Sequence, residues 1–456
     1  MIKLPSVLII DDILDELNVI RDSFAKIGLP CLPIQYSNDL DNASGIDHAN
    51  LEKIVPRIII TDLNLTELTT INAANLAGPI LKLINKIDIQ GPYLLYFWSK
   101  NSATVQEVKN IIEQRISNKN LLPLSMGILD KADLLHDHSK LELALDKIIS
   151  ENPLFESIFN WECRINSAAQ NTINSLYKLT SPDSQTNPED YVKIHSEKIM
   201  NVLALIANET LGHQNAAQYP SKSVDLGLLP VLSDSLQNIE SGTWDRSITK
   251  IGEKTKVDDE MKAKLNSFYH IEITQDVHSK SQRGVFLPIN ENYASNKENI
   301  DKMCSKLGVE NFNEILASEF INFERIGNQD ILKNLKIGFV ELSAECDHAQ
   351  KKIKLHRYVI SALIPETLSE HCKFGRRITK HDGIYRLPTF DFNGSKFFLM
   401  LSFKYQIGTK DIFLINSENI EHKWFGNPLF RLRDQILSDI SFKCSQYSSR
   451  PGIVSF

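Results

Sequence analysis

The sequence of 456 residues lacks the motifs of several common enzyme classes. It has no GxxxxGK[ST] phosphate loop, no GxGxxG dinucleotide fingerprint and no HExxH zinc motif, so nothing in it supports a P-loop nucleotidase, a Rossmann oxidoreductase or a zincin protease. Its six cysteines include no CxxC pair. That absence argues against a zinc ribbon or a thioredoxin-like redox centre and predicts free thiols in a reducing compartment.

Long apolar runs and an excess of basic charge are also missing. No run approaches the roughly 20 apolar residues of a membrane-spanning helix. The apolar run within the N-terminal MIKLPSVLIIDD is too short for a signal peptide. We therefore expect a cytoplasmic protein without a membrane partner. The net charge of -7 makes nucleic acid an unexpected partner. The sharpest basic cluster, Lys373–Lys380, is interpreted as a solvated loop or a local phosphate contact.

The length exceeds what one hydrophobic core supports, so several domains are expected. Changes in pattern along the chain predict four segments. These are a receiver-like α/β domain (1–138), a helical linker or dimerisation hairpin (139–220), a mainly helical region (221–330) and an α+β output module (331–456).

The first segment alternates short apolar runs with amphipathic stretches. The runs Val7–Ile10, Ile58–Ile60, Tyr93–Trp98 and Ser125–Leu129 are typical of buried parallel strands. Strand and helix patterns that alternate in this way predict an α/β sheet with right-handed crossovers.

The last segment has a different pattern. From residue 335 onward, five short β-like runs are separated by turn-like stretches, the last of them DIFLIN at 411–416. They predict a small antiparallel sheet or barrel, which an amphipathic helix over Pro428–Tyr447 follows.

Acidic residues come directly after two of the N-terminal apolar runs. Asp11 and Asp12 follow the first run, and Asp62 follows the second. Because ligands bind outside the carboxyl ends of parallel strands, we expect these carboxylates to meet at one edge of the sheet. Such close carboxylates repel one another unless a cation lies among them, and oxygen ligands suit Mg²⁺. Ser99 directly follows the third run and Lys131 comes just after the fourth, so both should reach the same edge.

This order of residues resembles the receiver domain of two-component response regulators, over residues 1–135. The resemblance implies a doubly wound, five-stranded parallel sheet. It also implies that Asp62 accepts a phosphoryl group whose oxygens Ser99 and Lys131 contact. The implied ligands of Mg²⁺ are Asp11, Asp12, Asp62 and the backbone carbonyl of Asn64.

The sequence departs from the family pattern at several positions. Asp12 and Asp62 lie 50 residues apart (62 − 12), a longer interval than the family shows. Met126 and Ile128 occupy the strand on which the family carries an aromatic switch residue. These departures indicate a divergent receiver, of a kind found in bacterial defence or conflict operons.

The function that the resemblance implies is a signalling switch within a phosphorelay. A histidine kinase or a related ATPase would donate the phosphoryl group, and the catalysis expected is limited to phosphoryl acceptance and autodephosphorylation at Asp62. Receivers often pair through their fourth and fifth strands, which makes a homodimer a further expectation. One alternative is a degenerate receiver that only docks a partner. The other is an effector enzyme or metal site around Cys346 and His348.

The segment Ser343–His348 carries that second candidate site. It places Cys346 close to His348 after a predicted strand, with His356 and His371–Cys372 further along. Thiolate and imidazole groups suit Zn²⁺, and a cysteine near a histidine can also act as a nucleophile with its base. Because the spacing matches no standard zinc pattern, a metal site, a catalytic pair and a structural turn all remain open.

Overall fold

A computed structural model describes most of the chain. The described residues are 5–36, 51, 55–65, 72–89, 91–99, 104–131, 138–237, 244–254, 256–273, 279–322, 335–349, 352–372, 383–410 and 423–449. The basic cluster Lys373–Lys380 and the run at 411–416 lie outside these residues, so the interpretations given to them stay predictions.

The chain divides into two compact units. The first comprises residues 1–187 and 228–253, and the second comprises residues 188–227 and 254–456. Neither unit is a single continuous stretch of chain.

The first unit is built on a five-stranded sheet in which every pair of neighbouring strands is parallel. The strand order is β2-β1-β3-β4-β5, one of the common doubly wound orders. This confirms the predicted fold class. The strands are β1 Pro5–Asp11, β2 Cys31–Gln35, β3 Val55–Asp62, β4 Leu94–Ser99 and β5 Ser125–Asp130.

Helices cover both faces of this sheet because successive side chains of a strand point to opposite faces. Leu8 and Ile59 pack with α2 and α3 on one face, and Ile9 and Ile60 pack with α1 and α4 on the other. Apolar residues on both faces explain why the strands read as continuous apolar runs. The helices are α1 Leu14–Lys26, α2 Ala73–Ile87, α3 Val105–Arg115 and α4 His138–Ser150.

The sequence sets the ends of α2 clearly. The side chain of Asn72 accepts a hydrogen bond from the N–H of Ala74 at 2.8 Å, which caps the first turn. The helix ends at Ile87, and Asp88 adopts the left-handed conformation with φ 48° that commonly follows a helix. The seven buried residues of α2 all face the sheet cluster that contains Leu8.

Helices continue through the middle of the chain, as the pattern predicts. Helix α5, Pro153–Leu179, belongs to the first unit and is attached to its sheet by buried Phe155 and by an ion pair between Arg57 and Glu162 at 2.8 Å. No helix in the described part of the chain has both the length and the apolar character of a membrane span. The other helices are α6 Pro188–Leu211, α7 His213–Gln218, α8 Pro220–Gln237 and α9 Trp244–Ser247.

The second unit contains an antiparallel sheet that curls into a half-barrel, which confirms the predicted C-terminal module. The strand order is β10-β12-β9-β8-β7-β13-β6, and β11 pairs with β12. The strands are β6 Ile271–Glu272, β7 Val285–Pro288, β8 Lys336–Glu341, β9 His356–Pro365, β10 Ile384–Arg386, β11 Phe390–Phe392, β12 Ser395–Thr409 and β13 Phe430–Leu432.

Each face of this sheet also has its own apolar cluster. Phe339 and Tyr358 pack with α12 on one face, and Val340 and Val359 pack with α15 on the other. A π-helical turn, Leu316–Phe320, adds to the first of these clusters. The helices of the unit are α10 Asp259–His270, α11 Glu291–Ala294, α12 Lys297–Leu307, α13 Phe312–Ile315, α14 Glu345–Ala349 and α15 Asp434–Ser448.

Candidate functional site

The predicted site residues of the first unit lie at the carboxyl edge of its sheet. Asp11 is the last residue of β1, and Asp62 is the last residue of β3. Ser99 ends β4, next to Trp98, which pairs with Asp62 in the strand register. Lys131 directly follows β5. The parallel arrangement therefore brings these ends to one edge, as the sequence predicts.

Lys131 links the carboxylates at this edge. Its Nζ lies 2.9 Å from Oδ2 of Asp11 and 3.4 Å from Oδ1 of Asp62, and it also contacts Oε2 of Glu16. The exposed fraction is 5% for Lys131, 0% for Asp11 and 9% for Asp62. Charges this deeply buried are tolerated only when they are paired, so the ammonium group and the acids depend on one another.

The backbone fixes the second oxygen of each buried carboxylate. Oδ1 of Asp11 accepts a hydrogen bond from the N–H of Ile13 at 2.9 Å. Oδ2 of Asp62 accepts one from the N–H of Asn64 at 3.0 Å. In both residues one oxygen is held by the turn that follows the strand, and the other oxygen faces Lys131.

The electrostatic balance differs from group to group. Burial raises the pKa of Asp62, although Lys131 opposes the effect. Burial alone would lower the pKa of Lys131, but the carboxylates of Asp62, Glu16 and Asp11 raise it above its ordinary value. Burial and the charge of Asp62 raise the pKa of Asp12 from 3.8 to about 6. Asp12 is therefore the carboxyl group of this edge that Lys131 compensates poorly.

The raised pKa of Asp12 predicts a pH dependence of stability in the protein without divalent ions. Between pH 3.8 and about 6 the folded chain retains a proton that the unfolded chain has lost, so the free energy of unfolding falls as the pH rises. Asp12→Asn should remove this part of the slope. Asp12 is only half-buried, so solvent screening weakens the effect. We therefore expect Asp12→Asn to raise the free energy of unfolding by about 1 kcal/mol above pH 7.

Urea unfolding in EDTA, followed at about pH 4.5 and about pH 7.5, measures this effect as the difference between variant and wild type. Asp146→Asn is the matched control, because Asp146 is an exposed residue of α4. Equal pH slopes in wild type and Asp12→Asn would contradict the prediction.

The donor groups at this edge fit Mg²⁺. Asp12 and Asp62 supply carboxylate oxygens that lack full compensation, and the buried Oδ1 of Asn64 has no hydrogen-bond partner among the described residues. Oxygen ligands with access to water are the set that Mg²⁺ prefers. Asn64 lies two residues beyond β3 and donates its backbone N–H to Asp62, whereas its carbonyl as a ligand of Mg²⁺ stays a prediction.

Sequence reasoning missed Glu16. It lies in the first turn of α1 and contacts the same ammonium group as Asp11 and Asp62. The signal is present in the sequence, because Glu16 follows Asp12 by four residues and α1 starts between them. Only Asp12 and Ile13 separate β1 from α1, so the first turn of the helix, which includes Glu16, lies close to the end of β1.

A second cluster of polar side chains lies in the second unit. Oε2 of Glu341 lies 2.8 Å from Nε2 of His348, and Oε1 of Glu341 lies 3.1 Å from Nδ1 of His356. Glu341 is fully buried, and the hydrogen bonds from the two histidines lower its pKa against the opposing effect of burial. This places His348 and His356 together, as the sequence allows, and adds Glu341, which sequence reasoning missed.

Of the two cysteines proposed for this cluster, Cys372 lies in other surroundings. Sγ of Cys372 donates to the carbonyl oxygen of Leu368 at 3.4 Å and packs in the apolar cluster that contains Phe339. The side chain of Cys346 lies outside the described residues, so its role stays a prediction. Among the described residues, the group that could hold a metal ion does not include His371 or Cys372.

Comparison of this chain with family models, curated proteins and solved structures finds no match.

Proposed function

We propose that the first unit is a phosphoacceptor switch of the response-regulator type, with Asp62 as the residue that takes the phosphoryl group. The observation that carries the proposal is the position of Lys131, whose Nζ lies within 3.4 Å of both Asp11 and Asp62 at the edge of a 2-1-3-4-5 parallel sheet. In sheets of this order, ligands bind at the carboxyl ends of the strands.

The proposed reaction is an in-line transfer to a carboxylate. An oxygen of Asp62 attacks the phosphorus, the bond from phosphorus to the donor nitrogen of a phosphohistidine breaks, and an acyl phosphate forms on Asp62. Hydrolysis of that acyl phosphate by water returns the free carboxylate. Mg²⁺, held by Asp11, Asp12, Asp62 and the carbonyl of Asn64, would supply positive charge to the phosphoryl oxygens.

Lys131 and Ser99 have separate roles in this proposal. The ammonium group of Lys131 already faces Oδ1 of Asp62, so it can pair with a phosphoryl oxygen after a small shift. Ser99 ends the neighbouring strand, where its hydroxyl can hydrogen-bond another phosphoryl oxygen. Movement of either group would report the modification to the helices beyond β5.

The helices after residue 138 are suited to receive such a signal within the first unit. Leu141 of α4 and Phe155 of α5 belong to the same apolar cluster as Ile60, two residues before Asp62. Close packing transmits small displacements, because a packed core has few voids to absorb them. We propose that this path leads to an output by the C-terminal module.

Labelling of the full chain tests the proposal. Acetyl phosphate with a radioactive phosphoryl group and Mg²⁺ should modify one residue per chain, and the label should be released by hydroxylamine because it is an acyl phosphate. EDTA should prevent the labelling. A chain that takes no label under these conditions, or takes it equally with EDTA, would overturn the proposal.

A second candidate function is a degenerate receiver that docks a partner kinase or ATPase without phosphorylation. The contact of Lys131 with three acids favours it, because an internal cation then already offsets part of the negative charge of the edge. Titration with Mg²⁺ separates the two functions. A phosphoacceptor should gain thermal stability as Mg²⁺ saturates the site, whereas a degenerate site should show no saturable gain.

A further inference from the structure

Three separate elements of the second unit bring one carboxylate and two imidazoles together. Glu341 ends β8, His356 begins β9, and His348 lies in α14. One donor atom from each residue falls within 4.8 Å of the other two. We propose that Glu341, His348 and His356 bind a divalent transition-metal ion with the preferences of Zn²⁺.

Strand geometry explains why two of these side chains meet. In the β8–β9 pair Glu341 lies opposite Tyr358, and His356 is two residues before Tyr358, so His356 and Tyr358 share a face. Diagonal neighbours across an antiparallel pair lie within reach of long side chains. The third ligand, His348, comes from α14, which lies in the connection between the two strands.

The distances suit a metal ion. Ligand atoms placed about 2.1 Å from a tetrahedral Zn²⁺ lie roughly 3.4 Å from one another. Glu341 already has one oxygen 2.8 Å from His348 and the other 3.1 Å from His356. Small changes in side-chain torsions would therefore place one ion among the three groups.

The surroundings hold the carboxylate in place. The N–H of Ser343 donates to Oε2 of Glu341 at 3.3 Å, and Oγ of Ser343 accepts from the N–H of Arg357 at 2.8 Å. The guanidinium of Arg283 donates to the carbonyl of Ser343 at 3.3 Å. Groups that orient a ligand in this way are a regular part of protein metal sites.

Burial gives a second argument. Glu341 has no exposed surface and His356 is 5% exposed, so their polar groups are expensive to keep in an apolar face. The side chain of His348 keeps 18% of its surface exposed, which leaves a route for an ion from solvent. A buried carboxylate beside two imidazoles, with one accessible side, is an arrangement that suits an ion.

The ligand types select the ion. Two imidazole nitrogens and a carboxylate oxygen suit Zn²⁺ and its transition-metal neighbours, whereas Mg²⁺ prefers oxygen ligands alone. Three protein ligands leave a fourth position for water or for a substrate group. The site is therefore chemically distinct from the oxygen-rich edge of the first unit.

Calorimetric titration of the EDTA-treated full chain with Zn²⁺, in excess Mg²⁺, tests this assignment. Excess Mg²⁺ competes with Zn²⁺ for the oxygen ligands of the first unit, and the histidine variants assign the Zn²⁺ isotherm to the second unit. We expect one Zn²⁺ per chain, and at least about 100-fold weaker binding in His348→Ala and in His356→Ala, because loss of a ligand should exceed the effect of losing a supporting group.

His213→Ala is the matched control, because His213 is an exposed residue of α7 in the same unit. This variant should bind Zn²⁺ with the affinity of the wild type. The side chain of His348 is partly exposed, so its removal should leave the fold intact. Circular dichroism of metal-free His348→Ala shows whether the variant is folded. Absence of Zn²⁺ binding, or equal affinity in a folded His348→Ala, would overturn the proposal. So would an equal loss in His213→Ala.

Cobalt replacement tests the ligand set directly. Co²⁺ bound by nitrogen and oxygen should show weak visible bands without a thiolate-to-metal charge-transfer band. A charge-transfer band that Cys346→Ser removes would overturn the proposed set of one carboxylate and two imidazoles. Zn²⁺ stoichiometry that is unchanged in Asp62→Asn separates this result from the outcome of the phosphoryl labelling.

Discussion

Asp62→Asn should reduce phosphoryl incorporation from acetyl phosphate by at least about 100-fold, because the variant lacks the attacking carboxylate. The fold should survive the change. Burial and the charge of Asp11 both oppose ionisation of Asp62, so a neutral amide of the same shape is tolerated at this position. The amide oxygen can still accept the hydrogen bond from the N–H of Asn64.

Asp130→Asn is the matched control for this experiment. Asp130 ends β5 at the same edge of the sheet, but its side chain is exposed. Its substitution should leave the labelling close to that of the wild type. Tryptic peptides of labelled wild type, reduced with borohydride, should carry the modification at Asp62. Full labelling of Asp62→Asn, or modification at Asp11 or Asp12, would contradict the assignment.

Lys131→Met should lower the stability of the first unit by about 3 kcal/mol in the absence of divalent ions. Removal of one partner from a buried ionic cluster typically costs 3–5 kcal/mol, because the remaining charges are left uncompensated. Here Asp11 and Asp62 would lose the cation that lies 2.9 Å and 3.4 Å from them. Hydrogen exchange of peptides from β1 and β3 measures the effect in the first unit alone.

Lys147→Met is the control, because Lys147 forms an exposed ion pair with Glu151 at 3.8 Å. Such surface pairs contribute about 0–1 kcal/mol. Mg²⁺ should restore much of the stability that Lys131→Met loses, since a divalent ion would again compensate the carboxylates. A loss no larger than that of Lys147→Met, or a loss that Mg²⁺ does not reduce, would contradict the account of this edge.

The fold of the first unit is largely readable from the sequence. Apolar residues recur at helical spacing over Ala73–Ile87, which is the stretch that α2 occupies. The strands other than β2 are equally clear, because a short run with apolar side chains on both faces is typical of a buried parallel strand. β2 is harder to detect because Pro33 interrupts it, and proline is tolerated there because β2 is the last strand of the sheet order.

The second unit shows where sequence patterns fail. β6 and β7 lie within the stretch that reads as mainly helical, and they have two and four residues. Segments this short contain too few residues to show an alternating pattern. Their strand character comes from pairing with β13 and β8, which are distant in sequence.

The two clusters differ in how far the sequence predicts them. Asp11, Asp62 and Lys131 could be placed together because the carboxyl ends of parallel strands meet at one edge. Glu341 offered a weaker signal, a single acid within the apolar run FVEL. Its partners depend on the pairing of β8 with β9 and on the position of α14, and spacing alone determines neither.

The path of the chain affects how this protein can be made and rearranged. The chain passes between the two units three times, at residues 187–188, 227–228 and 253–254. During synthesis, the first unit is therefore completed only after residues 188–227 of the second unit have left the ribosome. A gene fusion that ends after β5 would omit α4, α5 and residues 228–253, so the first unit cannot be transferred between proteins as a simple N-terminal cassette.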